Sequence, residues 1–203
     1  MTTLNLSVVI LAGGESKRMG TDKALLKYRG QEFIKLISSE MLSISDEVIV
    51  TIGRKNVETF AQVLEGDVKI MQDAQYISNP VGGMISAGRK VTHSYCAFLG
   101  CDTPFVKREV VKLIYQHAIG HSAAIPIWEN GDLEPLCGVY DAKATIKAGQ
   151  AALHKGKLGC KNLISFLPSP IYVKMEDLRK VDPELVSFKN VNTTEDYRSL
   201  FNP

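Results

Sequence analysis

Apolar positions in the first half of the chain gather in short runs separated by stretches of mixed character. Residues 6–11 read Leu-Ser-Val-Val-Ile-Leu, a run too short for a helix and rich in β-branched side chains, which predicts a strand buried on both faces. Comparable runs at 47–52, 68–71 and 95–99 predict three more strands, and helical spacing at 31–42, 57–64 and 82–91 predicts the helices between them. Strand and helix alternate with short connections, the pattern of right-handed βαβ units in a mostly parallel sheet.

The second half continues with a predicted helix over 107–118 and a strand over 123–127. Next comes Trp128-Glu129-Asn130-Gly131-Asp132, whose Asn-Gly pair is a hairpin turn signal. A returning strand over 136–140, helices over 142–153 and 162–167, a short strand over 171–174 and a helix from Thr194 complete the pattern. Pro168-Ser169-Pro170 reads as a turn, not a domain boundary. The expected architecture is one α/β domain over residues 1–203, three-layered, with a mostly parallel central sheet and an inserted β-hairpin.

Composition narrows the function classes. With 45% apolar and 23% charged residues the chain has the make-up of a globular protein. Lys and Arg total 24 against 22 Asp and Glu, a net charge of +2. That balance gives no basic field, so nucleic acid is not an expected partner. No apolar run approaches the roughly 20 residues needed to span a bilayer, and the N-terminal stretch lacks the basic start and cleavage site of a secretory signal. A cytoplasmic location without a membrane partner is expected. Cys96, Cys101, Cys137 and Cys160 show no C-x-x-C spacing, and His93, His117, His121 and His154 show no H-E-x-x-H pattern. A metal held by Cys or His is therefore not expected, and the cysteines read as reduced, small hydrophobes.

The first strand runs into Leu11-Ala12-Gly13-Gly14-Glu15-Ser16-Lys17-Arg18-Met19-Gly20-Thr21-Asp22-Lys23. Glycines allow backbone N–H groups to approach a phosphate, and Lys17, Arg18 and Lys23 supply cations. Ligands of open α/β sheets bind outside the carboxyl ends of the strands, where this loop lies. Neither the P-loop nor the G-x-G-x-x-G pattern is present. A triphosphate loop and a solvated surface loop both fit these residues.

A second candidate follows the strand at 95–99: Gly100-Cys101-Asp102-Thr103-Pro104-Phe105. Asp102 is read either as a hard oxygen ligand for Mg²⁺ beside phosphates or as the cap of the next helix. Near the C-terminus, Asn190-Val191-Asn192-Thr193-Thr194-Glu195-Asp196 places two amides on one side of an extended segment and carries a capping signal. Lys155, Lys157 and Lys161, around Gly156 and Gly159, read as a solvated turn, with contact to an acceptor phosphate as the alternative.

Taken together, L-A-G-G-x-S-x-R-M-G-x-D-K, Gln72-Asp73, Asn79-Pro80-Val81-Gly82-Gly83-Met84, G-C-D-x-P-F, Glu134-Pro135-Leu136-Cys137-Gly138-Val139-Tyr140 and N-x-N-T-x-E-D resemble, in order, the motifs of the MobA family of molybdenum cofactor guanylyltransferases and of MobA-like nucleotidyltransferases. The resemblance implies a Rossmann-like, GT-A-like nucleotidyltransferase fold. It implies that Leu11, Ala12, Gly13, Gly14, Arg18 and Lys23 hold the nucleotide, that Asp73, Gly82 and Gly83 serve its base and ribose, and that Asp102 binds Mg²⁺. Glu134, Asn190 and Asn192 border the acceptor. Lys23, Arg18 and Asp102 are the implied catalytic residues. Asn79 stands where the family carries glycine, Val81 where it carries leucine, and Lys17 where many relatives have arginine.

The implied reaction transfers GMP from GTP to the phosphate of molybdopterin carrying molybdenum, releasing pyrophosphate, with a molybdoenzyme or cofactor-insertion protein as recipient. Alternatives are a cytidylyltransferase for the same cofactor, a transferase for a sugar or alcohol phosphate, and a non-catalytic nucleotide-binding or cofactor-delivery domain.

Overall fold

The computed structural model describes residues 3–14, 21–72 and 79–201. In chain order its elements are β1 (Leu4–Leu11), β2 (Lys27–Tyr28), β3 (Gln31–Glu32), α1 (Phe33–Leu42), β4 (Ser45–Gly53), α2 (Val57–Ala61), β5 (Val68–Gln72), α3 (Pro80–Gly88), β6 (Tyr95–Gly100) and α4 (Arg108–Ala118). Then follow β7 (Ala123–Ile127), β8 (Cys137–Asp141), α5 (Ala142–His154), α6 (Cys160–Ile164), β9 (Pro170–Lys174), α7 (Met175–Leu178) and α8 (Thr194–Ser199). Among the described residues no helix is long and apolar enough to cross a membrane.

Seven strands form one sheet in the order β5-β4-β1-β6-β8-β7-β9. β1 runs parallel to β4 and β6, β4 to β5, and β7 to β9, while β8 is antiparallel to both its neighbours. The mostly parallel sheet is as expected. Its central strands alternate faces with period two, as β geometry demands: Val8, Ile10, Val48 and Val50 pack on one side, and Val9, Ile49, Cys96 and Phe98 on the other. The first side is covered by α1 and α4, the second by α3 and α5, which gives three layers. Each fully buried Val or Ile of β1 contributes about 1.5–3 kcal/mol relative to exposure. That is why this strand reads so clearly as apolar.

Helix starts follow local chemistry. α3 begins with Asn79 as its cap, Oδ1 accepting from Gly82 N at 2.9 Å, and with Pro80 in the first turn, where its missing N–H costs nothing. Asp141 caps α5 through Ala144 N at 2.7 Å, and Thr193 with Asp196 forms a capping box on α8. α4 shows the predicted stripe, with Val110, Val111, Ile114 and Ala118 buried.

The structure corrects two parts of the pattern. Residues 27–32 form a small antiparallel hairpin turned through Arg29 (φ 50°) and Gly30 (φ 87°), so the helix expected from residue 31 starts at Phe33. The hairpin expected at 123–140 is not an appendage. Its turn is present, with Trp128 N donating to Asp132 O at 2.8 Å and Gly131 at φ 87°, but β7 and β8 pair only at Ala123–Tyr140 and Ala124–Val139. β8 instead completes its pairing on β6, which makes it a full member of the sheet.

Candidate active site

Two adjacent parallel strands, β1 and β4, end side by side, and the chain leaves both at the same rim. The exits are tightly packed. A Cβ on Gly13 would stand 3.1 Å from Gly53 N, and one on Gly53, whose φ is +61°, would stand 3.2 Å from Gly13 Cα. Gly13 is therefore fixed by close approach of two backbones, and Gly53 by both approach and dihedral angle. Ala12 is buried, Leu11 half-buried, and Gly14 is exposed with open space around it. Gly83 in α3 comes so close to Leu11 that a Cβ would lie 3.2 Å from Leu11 Cδ2, and Gly82 is buried beside the capping amide of Asn79. Four of the expected nucleotide-holding positions, Leu11, Gly13, Gly82 and Gly83, thus sit at the junction of β1, β4 and α3. Arg18, Lys17 and Asp73 lie outside the described residues.

Lys23 begins a single 3-10 turn at Lys23–Leu25, capped by Asp22 through Ala24 N at 3.1 Å. Its ammonium donates to Asn192 Oδ1 at 2.6 Å. The segment carrying Asn192 is tied to the end of β6 by Val191 N donating to Asp102 O at 2.8 Å. Asn192 N is itself fixed, donating to Asp196 Oδ2 at 2.8 Å. Lys23, Asp102 and Asn192, expected from separate motifs, are therefore neighbours on one rim.

Asp102 does not cap the following helix. The cap position of α4 is Lys107, with no side-chain hydrogen bond, and Thr103 Oγ1 donates to Gly100 O at 3.1 Å instead. The Asp102 carboxylate folds back over Gly100, where a Cβ would stand 2.5 Å from Oδ1. Burial pushes the Asp102 carboxyl above the usual carboxylate range, offset in part by the charge of Lys23 and a backbone hydrogen bond. Burial likewise pushes the neighbouring Cys101 thiol up to about 12, so it is no nucleophile near neutral pH.

Among the described residues no group of three or more His, Cys, Asp or Glu is placed to hold a metal ion. A divalent cation at Asp102 would take one hard oxygen from the protein and complete its shell with phosphate oxygens and water. That is the habit of Mg²⁺, so the residues fit such an ion.

Next to Asp102 opens a cavity of about 530 Å³, walled by Trp128, Glu134, Leu136, Lys161, Phe188 and Asn190 among others. Glu134 and Asn190, two of the residues expected on the acceptor side, both line this cavity. The two C-terminal amides have different neighbours: Asn190 lines the cavity, whereas Asn192 meets Lys23. Lys161 lines the cavity too, paired with Asp132 at 2.9 Å.

Lys55 is a site residue that sequence reasoning missed. Its ammonium reaches Ala12 O at 2.5 Å and Asp22 Oδ2 at 2.7 Å, joining the chain before and after the glycine-rich loop. The signal was available, since Gly53-Arg54-Lys55 leaves β4 at the rim where ligands bind.

Comparison with known proteins bears on the family and the fold. The family model described as the MobA-like NTP transferase domain matches residues 8–169. A protein of Methanosarcina mazei described as a probable molybdenum cofactor guanylyltransferase is 32% identical over 201 residues, covering 96% of this chain and 89% of its own. A molybdenum cofactor guanylyltransferase of Desulfosudis oleivorans is 31% identical over 193 residues, covering 93% and 90%. The solved structure of molybdopterin-guanine dinucleotide biosynthesis protein A from Archaeoglobus fulgidus superposes with a TM-score of 0.81 at 25% identity, covering 96% of both chains.

Proposed function

The chain belongs to the MobA-like NTP transferase family, and from that premise we propose that it transfers GMP from GTP to the phosphate of molybdopterin carrying molybdenum. In this reading an oxygen of the acceptor phosphate bonds to the α-phosphorus of GTP. The bond from that phosphorus to the oxygen bridging to the β-phosphate breaks, and pyrophosphate departs with the bridging oxygen. The product is the guanine dinucleotide form of the cofactor, passed on to a molybdoenzyme or insertion protein in the cytoplasm.

The observation that carries the reading is the convergence of Lys23, Asn192 and Asp102 beside a cavity of about 530 Å³. In-line displacement at phosphorus needs positioning and charge neutralisation and no protein nucleophile. The glycine-rich turn gives phosphates access to backbone N–H groups, Lys23 and Arg18 are the cations for the departing pyrophosphate, and Asn192 holds the Lys23 ammonium in place. Asp102 would hold Mg²⁺, which when bound supplies Lewis-acid polarisation of the phosphates. Neither the half-buried Cys101 nor any other side chain needs to form a covalent intermediate.

Pyrophosphate release with GTP, Mg²⁺ and molybdenum-loaded molybdopterin tests the reading. Asp102→Ala abolishes turnover and Lys23→Ala reduces it by about two orders of magnitude or more. Near-normal rates in both variants at saturating Mg²⁺ overturn it, and calorimetry favouring CTP over GTP replaces the donor.

A further inference from the structure

The cavity beside Asp102 is walled by the chain between β7 and β8, by the start of α6 and by the segment that carries Phe188 and Asn190. Its ionisable lining is acidic on balance: Asp102, Asp132 and Glu134 stand against Lys161, and Lys161 is paired with Asp132. Glu134 has another kind of partner. Its Oε1 accepts the indole N–H of Trp128 at 2.7 Å, a neutral donor that orients the carboxylate without cancelling its charge. Trp128 is held in turn edge-on against the buried ring of Phe188, with centroids 6.0 Å apart. An ionised carboxylate has about four lone-pair sites, so one indole leaves Glu134 with ample capacity to accept from a ligand. A wall of this sign repels phosphate and favours N–H donors.

The structure assigns to Glu134, oriented by Trp128, the recognition of the donor edge of an aminopyrimidinone ring, a ring N–H beside an exocyclic amino group. This assignment rests on the proposed function for the identity of the two substrates, and both contain such an edge: the pterin of the acceptor and the guanine of the donor. Topology selects the pterin. The junction of β1, β4 and α3 that gathers Leu11, Gly13, Gly82 and Gly83 lies on the β5-β4-β1 side of β6. The cavity walls from the β7–β8 connection lie on the other side. Trp128 and Glu134 are thus specificity-determining residues for the acceptor ring, and the phosphate of the same molecule is left to the Lys23 rim.

The chain has a single tryptophan, and it stands in the cavity wall, so its emission reports occupancy. Titration of the wild-type protein with 6-hydroxymethylpterin, a probe without phosphate, gives saturable quenching of Trp128. Affinity falls about tenfold or more in E134Q, which keeps an oxygen for the indole but loses the charge. It falls to a similar degree for the corresponding lumazine, in which an oxo group replaces the amino group. Calorimetry with GTP and Mg²⁺ gives the same affinity in wild type and E134Q, and an unchanged melting temperature shows that the variant is folded.

Absence of quenching, equal binding of pterin and lumazine, or undiminished pterin binding in E134Q overturns the assignment. So does a loss of GTP affinity in E134Q, which would make the cavity the base site. Pterin binding as described in a protein that transfers no GMP to molybdopterin defeats the proposed function alone. Transfer by a protein whose pterin binding ignores Glu134 defeats the ring assignment alone.

Discussion

Lys23 and Asn192, 169 positions apart in the chain, meet through a 2.6 Å hydrogen bond from ammonium to amide oxygen. The bond joins the exit of the glycine-rich loop to the C-terminal segment, and its donor is the cation assigned to the triphosphate. A neutral acceptor suits this role, because it holds the ammonium in place without adding a negative charge beside it.

Removing that acceptor loosens the ammonium. Asn192→Ala lowers GTP affinity by about tenfold, the scale of a hydrogen bond to a charged group. Asn192→Asp is the more severe change because its carboxylate neutralises Lys23 outright. Calorimetry with GTP and Mg²⁺ gives the order wild type, Ala, Asp; an aspartate variant that binds as well as wild type contradicts the assigned role of Lys23.

Lys55 joins Ala12 O and Asp22, and Asp22 caps the turn that presents Lys23. Lys55→Met breaks both links and raises KM for GTP by about 5- to 100-fold, from the usual worth of charge-assisted hydrogen bonds. Lys55→Arg restores part of the loss, since it keeps the charge but changes the geometry. Steady-state kinetics of the two variants, with thermal melting as a check on folding, decide the matter. Equal KM in Lys55→Met and wild type rules out a positioning role.

Gly100 gives room to the Asp102 carboxylate, and a Cβ there would stand 2.5 Å from Oδ1. The obstructed group is the far end of a side chain, so Gly100→Ala displaces the carboxylate at small cost to the fold. The expected result is a fall in turnover of about tenfold or more together with a raised Mg²⁺ requirement and a melting temperature close to that of wild type. A variant whose Mg²⁺ dependence is unaltered removes Asp102 from metal binding.

One contribution to acid stability lies at the opposite rim, where Glu47 is 2% exposed. Burial alone would raise its pKa, but hydrogen bonds from Lys69, Ser7 and Thr92 outweigh burial and hold it down at about 2 against an ordinary 4.5. A folded-state pKa below the unfolded one means that the contribution is complete above about pH 4.5 and is lost as pH falls toward 2, amounting to about 2–3 kcal/mol. Denaturant unfolding at pH 7 and pH 3 shows this as a lower midpoint in acid. Glu47→Gln flattens that difference; an equally steep acid loss in the variant places its origin elsewhere.

The apolar runs at β1, β4 and β6 are legible as strands because burial on both faces permits few polar interruptions. The capping signal at Thr193 is legible because capping is local chemistry, whereas α3 starts at Pro80, two residues before the helix expected from residue 82. The helix expected from residue 31 takes in the second strand of the small hairpin before α1, since two-residue strands leave no period to detect and the positive φ of Arg29 has no reliable residue signature. The hairpin at 123–140 was legible as a turn but not as a sheet position. Alternation along β8 says that it has two faces, and nothing in it says that β6 is its neighbour.

The sequence by itself determined the α/β class, the glycine-rich exit from β1, the acidic residue after β6 and the amides near the C-terminus, because each is written in consecutive residues and short-range periodicity. Only the tertiary structure decided that Asp102 is no helix cap, that Lys55 joins both stems of the glycine-rich loop, and that Trp128 orients Glu134 in a cavity wall. Those relations join residues through space across separate strands. Sheet order and side-chain packing create them, and neither is encoded in any local window of the chain.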